Sequence, residues 1–147
     1  MLSYKTSYAI QILDLLKQSR EGMSLIDIRN RFIFLPSKSF ISGIVKQLES
    51  GRLICNASPK GTKYHIMSNL NEISLEDLVR LVDTDLVIGA PVGFLYWQPD
   101  YLKSRHHIEK VEKHLEDKIS EIMHSVTIGK LLEPEKKKVK YLKLQKT

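Results

Sequence analysis

The sequence predicts a mainly α-helical chain with a small β-hairpin wing and a long C-terminal helix. Three observations predict it. Apolar residues recur at helical spacing in separate short stretches before residue 50. Two short β-prone runs then flank the turn-rich loop Ala57-Ser58-Pro59-Lys60-Gly61-Thr62. A single apolar stripe, stepping by three and four residues, runs from Ile108 to Val126. The chain has 147 residues, 42% of them hydrophobic and 27% charged, which suits one soluble domain with a real core.

In the first helix Ala9, Ile12, Leu13 and Leu16 share a face that Tyr8 extends, and Glu21-Gly22 is its stop. Ser24 and Asp27 form a Ser-x-x-acid cap for a second, short helix carrying Leu25, Ile28 and Phe32. Phe34-Leu35-Pro36 ends it, because a residue preceding proline is pushed out of the helical region. Ser37 caps the third helix, which buries Phe40, Ile41, Ile44, Val45 and Leu48 and stops at Ser50-Gly51. Lys38, Ser42 and Lys46 line up on its other side, with Ser39 and Gly43 beside them. Leu53–Asn56 and Lys63–Ile66 are the expected strands. A further helix begins at Ser74, capped by Asp77, with Leu75, Leu78, Val79 and Val82 on its apolar side.

The organisation expected is a unit over 1–83, an aromatic loop and long helix over 84–132, and a basic flexible tail over 133–147. Gly89, Pro91, Gly93 and Pro99 interrupt periodicity in the loop, where Phe94, Tyr96, Trp97 and Tyr101 cluster. These aromatics either wall a small-molecule effector pocket or tie the loop to the long helix. The long-helix stripe of Ile108, Val111, Leu115, Ile119, Ile122 and Val126 needs a partner surface, in its own domain or on a second chain.

Charge is concentrated rather than spread. The net charge is +6, and the segment 29–66 alone carries +6, with Arg29, Arg31, Lys38, Lys46, Arg52, Lys60 and Lys63 against only Glu49. The rest of 1–83 is net −3. A merely solvated surface has no reason to segregate charge in this way, whereas a surface for a polyanion does.

Three short helices followed by a β-hairpin is the order of a winged helix-turn-helix. A slim polar helix face fits a DNA major groove, where hydroxyls meet base edges or phosphates and lysines meet phosphates. The expected DNA-contacting residues are Arg29, Ser37, Lys38, Ser39, Ser42, Lys46, Lys60 and Lys63, the last two on the wing. The competing reading is an ordinary solvated face on a protein-interaction module that no longer binds DNA.

The chain resembles the winged-helix repressors of the IscR/NsrR/CymR type. The likeness lies in Thr6-Ser7-Tyr8-Ala9, in Leu35-Pro36-Ser37-Lys38-Ser39-Phe40-Ile41 and in Val45 to Leu53. It is fullest at Ile73-Ser74-Leu75-Glu76-Asp77-Leu78-Val79-Arg80-Leu81-Val82-Asp83. The resemblance implies a homodimeric repressor whose long helices cross, presenting two recognition helices to a partly palindromic operator. Two departures stand out. The family's wing has paired glycines before its tyrosine, whereas Lys60-Gly61-Thr62-Lys63-Tyr64 has one glycine and two lysines, which suggests a looser, more basic wing. Cluster-binding members place three cysteines before the long helix, and residues 84–107 contain none. No iron–sulfur cluster or other cofactor is therefore expected, and Cys55 reads as a small buried apolar residue.

His107 and His114 share a helical face, but without further ligands in a recognisable spacing they read as surface histidines. The acid pairs Glu76-Asp77 and Glu116-Asp117 read as helix-surface charges. No Gly-rich phosphate loop, Gly-x-Ser-x-Gly elbow or His-Glu-x-x-His is present, so an enzyme is not expected. No apolar run approaches the roughly 18 residues of a membrane span, and Met1-Leu2-Ser3-Tyr4-Lys5 has no signal-peptide order. With one cysteine, these features lead to an expected cytoplasmic location.

Overall fold

In the computed structural model, which describes residues 2–83 and 105–134, helix α1 spans Tyr4–Gln18. Ser3 caps it, accepting from the Thr6 amide, and Ala9, Ile12, Leu13 and Leu16 are buried as their spacing predicts. Gly22 ends the following turn at φ +75°, a conformation other residues enter only at a cost. A β-carbon there would also lie 2.5 Å from the His65 ring and 2.8 Å from the Tyr64 carbonyl. Next to it Met23 makes an antiparallel bridge with Tyr64, joining the α1–α2 connection to the wing.

Helix α2 (Leu25–Asn30) starts with a reciprocal capping box between Ser24 and Asp27. Helix α3 (Lys38–Ser50) starts at Ser37, whose hydroxyl accepts from the Phe40 amide at 3.2 Å. Ile41, Ile44, Val45 and Leu48 of α3 enter the common core with Ile28 of α2. Tyr8 holds the three helices in register. Its ring stands 4.8 Å from that of Phe32 and meets Phe40 edge-on at 5.2 Å.

The end of α3 differs from the simple glycine stop. The left-handed residue is Arg52 (φ +59°), and the Leu53 amide bonds back to the Leu48 carbonyl while the Arg52 amide bonds to Glu49. This is the Schellman arrangement, with Arg52 in the position that glycine commonly takes. Gly51 has a different role, since a β-carbon there would run into the Leu81 side chain.

Strands β1 (Ile54–Cys55) and β2 (His65–Ile66) pair antiparallel, with Ile54 opposite Ile66 and Cys55 opposite His65. They are shorter than the expected strands, because the chain between them folds on itself instead of extending the ladder. Ser58 organises that loop: its hydroxyl accepts from the Thr62 and Lys63 amides at 2.8 and 3.1 Å, and its carbonyl accepts from Gly61. Asn56 donates across the loop to the Gly61 carbonyl. The wing turn is thus closed by side chain–backbone bonds, where one glycine in place of two had suggested a looser turn. Cys55 is half-buried and unbridged rather than fully buried.

A 3₁₀ turn (Leu70–Glu72) leads to α4 (Leu75–Val82), which begins with a second capping box, Ser74 with Asp77. Asp83, at its end, accepts from Ser3 and from the fully buried Thr6 hydroxyl, so the two ends of the winged unit are clipped together.

The long helix α5 spans Arg105–Ser125. The chain then turns back. Thr127 bridges Ser74, the Leu75 amide donates to Val126 and the Ile128 amide donates to Ile73. The short α6 (Ile128–Leu131) packs on the 3₁₀ turn, and Ile128 is fully buried in the core formed by α1, α3 and α4. Spacing alone ended the periodic signal at Val126 and missed this return. Among the described residues no helix is long and apolar enough to cross a membrane.

Candidate nucleic-acid interface

Burying one side of α3 leaves the other side in solvent. Lys38, Ser39 and Lys46 are exposed, Ser42 is half-exposed, and a β-carbon on Gly43 would meet nothing within 4 Å. Among the described residues the face is therefore narrow, polar and uncovered at Gly43. Ser37 sits at its start with its oxygen engaged in capping and 3.3 Å from the Ser39 hydroxyl. A hydroxyl that accepts a capping bond keeps its own proton to donate, so the pair can still bond a phosphate or base edge.

The other predicted residues divide. Lys60 is exposed at the wing tip. Lys63 is half-buried and lines a cleft of about 570 Å³ with Asp27, Asn30, Arg31 and the end of α1. Asp27 is held below the ordinary carboxylate range by its Ser24 hydroxyl and amide bonds, with smaller help from Lys63 and Arg31. Lys63 thus faces α2 as well as the wing. Arg29 donates from Nε to the Pro36 carbonyl at 2.6 Å, bracing the turn that launches α3. That donor is engaged within the fold. Arg31 and Arg52 are exposed basic residues of the same region.

Phe34-Leu35-Pro36 does more than end α2. In the structure Ile33, Phe34 and Leu35 are all exposed, at 95%, 85% and 57%, immediately before α3. The available signal was four consecutive apolar residues, Phe32 to Leu35, within a basic segment; only Phe32 of the four turns inward.

Glu76 departs from its reading as a surface charge. Its side chain is only 12% exposed, and Oε1 accepts from Arg80 at 2.7 Å and from the Ser120 hydroxyl of α5 at 2.7 Å. His124 of α5 stands 3.6 Å from Oε2. The Ser120 bond, then Arg80, hold the Glu76 carboxyl below its usual range. This clasp fastens the long helix to the winged unit. Away from it, Val111, Leu115, Ile119 and Ile122 of the stripe are exposed, and Val126 is half-buried. The side chain of Ile108 lies outside the described residues, as do those of Phe94, Tyr96, Trp97, Tyr101 and His107. Among the described residues no three His, Cys, Asp or Glu side chains come together as a metal site. Cys55 is the chain's one cysteine, so a cluster needing several thiolates does not fit it.

A helical triad with a two-stranded wing, a polar face on the third helix and a long trailing helix defines a winged-helix fold. Among solved structures the chain is similar to oxidised CymR of Staphylococcus aureus, with a TM-score of 0.62, 20% identity, and coverage of 91% of this chain and 97% of that one. It is similar to T. potens IscR, with a TM-score of 0.57, 23% identity, and coverage of 90% and 85%. A protein of Listeria innocua assigned as a transcriptional regulator superposes with a TM-score of 0.69 at 14% identity, covering 92% and 88%. No protein-family model and no curated protein matches the sequence. The fold is therefore the CymR–IscR type of winged helix, as the ordered motifs predicted.

Proposed function

We propose that the chain is a sequence-specific DNA-binding transcription regulator that acts as a homodimer and as a repressor. The observation that carries this reading is the α3 face: Lys38, Ser39, Ser42 and Lys46 accessible around an uncovered Gly43, in a segment whose single acid is Glu49. A helix with that profile fits the major groove, which admits one helix. Ser37, Ser39 and Ser42 are placed for base edges, and Lys38, Lys46 and Lys60 for phosphates, with Arg29 and Lys63 supporting the turn and wing. The CymR and IscR structures that share the fold are consistent with this reading.

The homodimer is supported by α5. A single chain leaves Val111, Leu115, Ile119 and Ile122 in water on one line, which a second copy would cover. Two copies related by a two-fold axis present two α3 helices to a two-fold-symmetric site.

The test is selection of duplexes from a random DNA pool by the purified protein. A recovered motif with two-fold symmetry is the expected result. Recovery of no motif overturns the reading in favour of a protein-interaction module.

A further inference from the structure

The turn between α2 and α3 holds an arrangement that the basic face does not explain. Ile33 and Phe34 are almost wholly exposed, Leu35 is more than half exposed, and Ile26 on α2 is 60% exposed. Single exposed apolar residues are ordinary, but three consecutive ones are not, and a soluble chain keeps such a run only for a contact. The turn is also fixed in place. Arg29 bonds the Pro36 carbonyl on one side, Phe32 is locked against Tyr8, and Ser37 caps α3 on the other.

What surrounds the run indicates its occupant. Arg29, Arg31 and Lys38 lie within the same ten residues, 29–38, which contain no acid. Phe34 is three residues from the cap of α3, so its backbone stands within about 11 Å of that helix start. The N-terminal residues of a recognition helix lie closest to base edges. The apolar group that base edges offer in the major groove is the thymine methyl.

The geometry points to Ile33 and Phe34 as an apolar specificity element that packs on thymine methyl groups at the edge of each half-site. This rests on the DNA-binding reading above and adds a readout that the serines and lysines cannot supply. It gives the site a preference for thymine over cytosine without hydrogen bonds. Because both side chains are already in solvent, replacing them leaves the core intact.

The experiment titrates a duplex recovered by selection, and versions carrying deoxyuridine for thymidine at one position at a time, which removes only the methyl. Wild type should bind about fourfold less tightly when the contacted thymine loses its methyl, the factor for one buried methyl-sized group. The Ile33→Ser/Phe34→Ser double variant should show no such difference, with its melting temperature and salt dependence unchanged. Lys46→Ala, which lacks a phosphate contact, should keep the methyl discrimination while binding more weakly. A double variant that still discriminates overturns the inference, as does a wild type indifferent to every substitution. Loss of self-association in the double variant, with discrimination retained, assigns the turn to a protein contact and overturns it too. A wild type that selects no duplex fails at the earlier step, so the two failures are distinguishable.

Discussion

Lys46 lies one turn beyond Ser42 and two beyond Lys38, and none of the three belongs to the buried side of α3 formed by Ile41, Ile44, Val45 and Leu48. A lysine on such a face acts as a point charge toward phosphates, so its contribution should not depend on base sequence. Lys46→Ala should therefore weaken binding to all duplexes by a similar factor and lower the salt slope by about one unit. Affinity measured across a salt series checks this; an unchanged slope removes Lys46 from the interface. The exposure of these positions was legible because it follows from spacing within one helix. The caps Ser24 with Asp27 and Ser74 with Asp77 were legible for the same reason, since each motif spans four residues. Glu76 was not, because Ser120 and His124 lie 44 and more residues away in the chain, and no local pattern marks them as its partners.

Among the elements, α4 and α5 are joined by that carboxylate. Asp27, Glu76 and Asp77 are all held below the ordinary range by hydrogen bonds, chiefly from serine hydroxyls. A lowered folded-state value means that the stabilisation is complete above the unfolded carboxylate value of about 4 and is lost as pH falls through the folded values. Urea midpoints should thus drop on acidification below about pH 4, and Glu76→Gln should show a smaller drop than wild type. An equal drop in both proteins would show that the clasp does not titrate with folding. The exposed side of α5 makes a separate prediction. Leu115→Glu places charge in the middle of a stripe whose neighbours Val111, Ile119 and Ile122 are all exposed in one chain. Sedimentation velocity should find wild type dimeric and the variant monomeric and still folded; a dimeric variant would relocate the interface. The β-elements were the least legible. Two four-residue β-prone runs predicted four-residue strands, but Ser58 draws the intervening loop closed and leaves two residues on each side paired.

Across the whole molecule the segregation of charge and the path of the chain belong together. The +6 of residues 29–66 falls on the end of α2, the turn that follows it, α3 and the wing, while the acids Asp27, Glu76 and Asp77 are absorbed in caps and the α4–α5 clasp. The return of the chain through α6 was hidden from the sequence, because a four-residue helix has too few turns to show periodicity. Its anchor, Ile128, is fully buried among α1, α3 and α4 residues. Ile128→Ala should cost about 2–5 kcal/mol in urea unfolding, the range for a deleted core isoleucine; a cost near zero would show that α6 is not part of the core. Whether the open face of α3 enters DNA is tested most directly at Gly43, since a β-carbon added there meets no neighbouring atom of the described residues within 4 Å. The measurement is the Kd of Gly43→Leu for a selected duplex, taken beside its melting temperature. The account predicts a fold at least as stable as wild type, because glycine inside a helix costs about 1 kcal/mol. It also predicts binding weakened on the order of a hundredfold, as for two lost base contacts. An equally folded variant with wild-type affinity would contradict it.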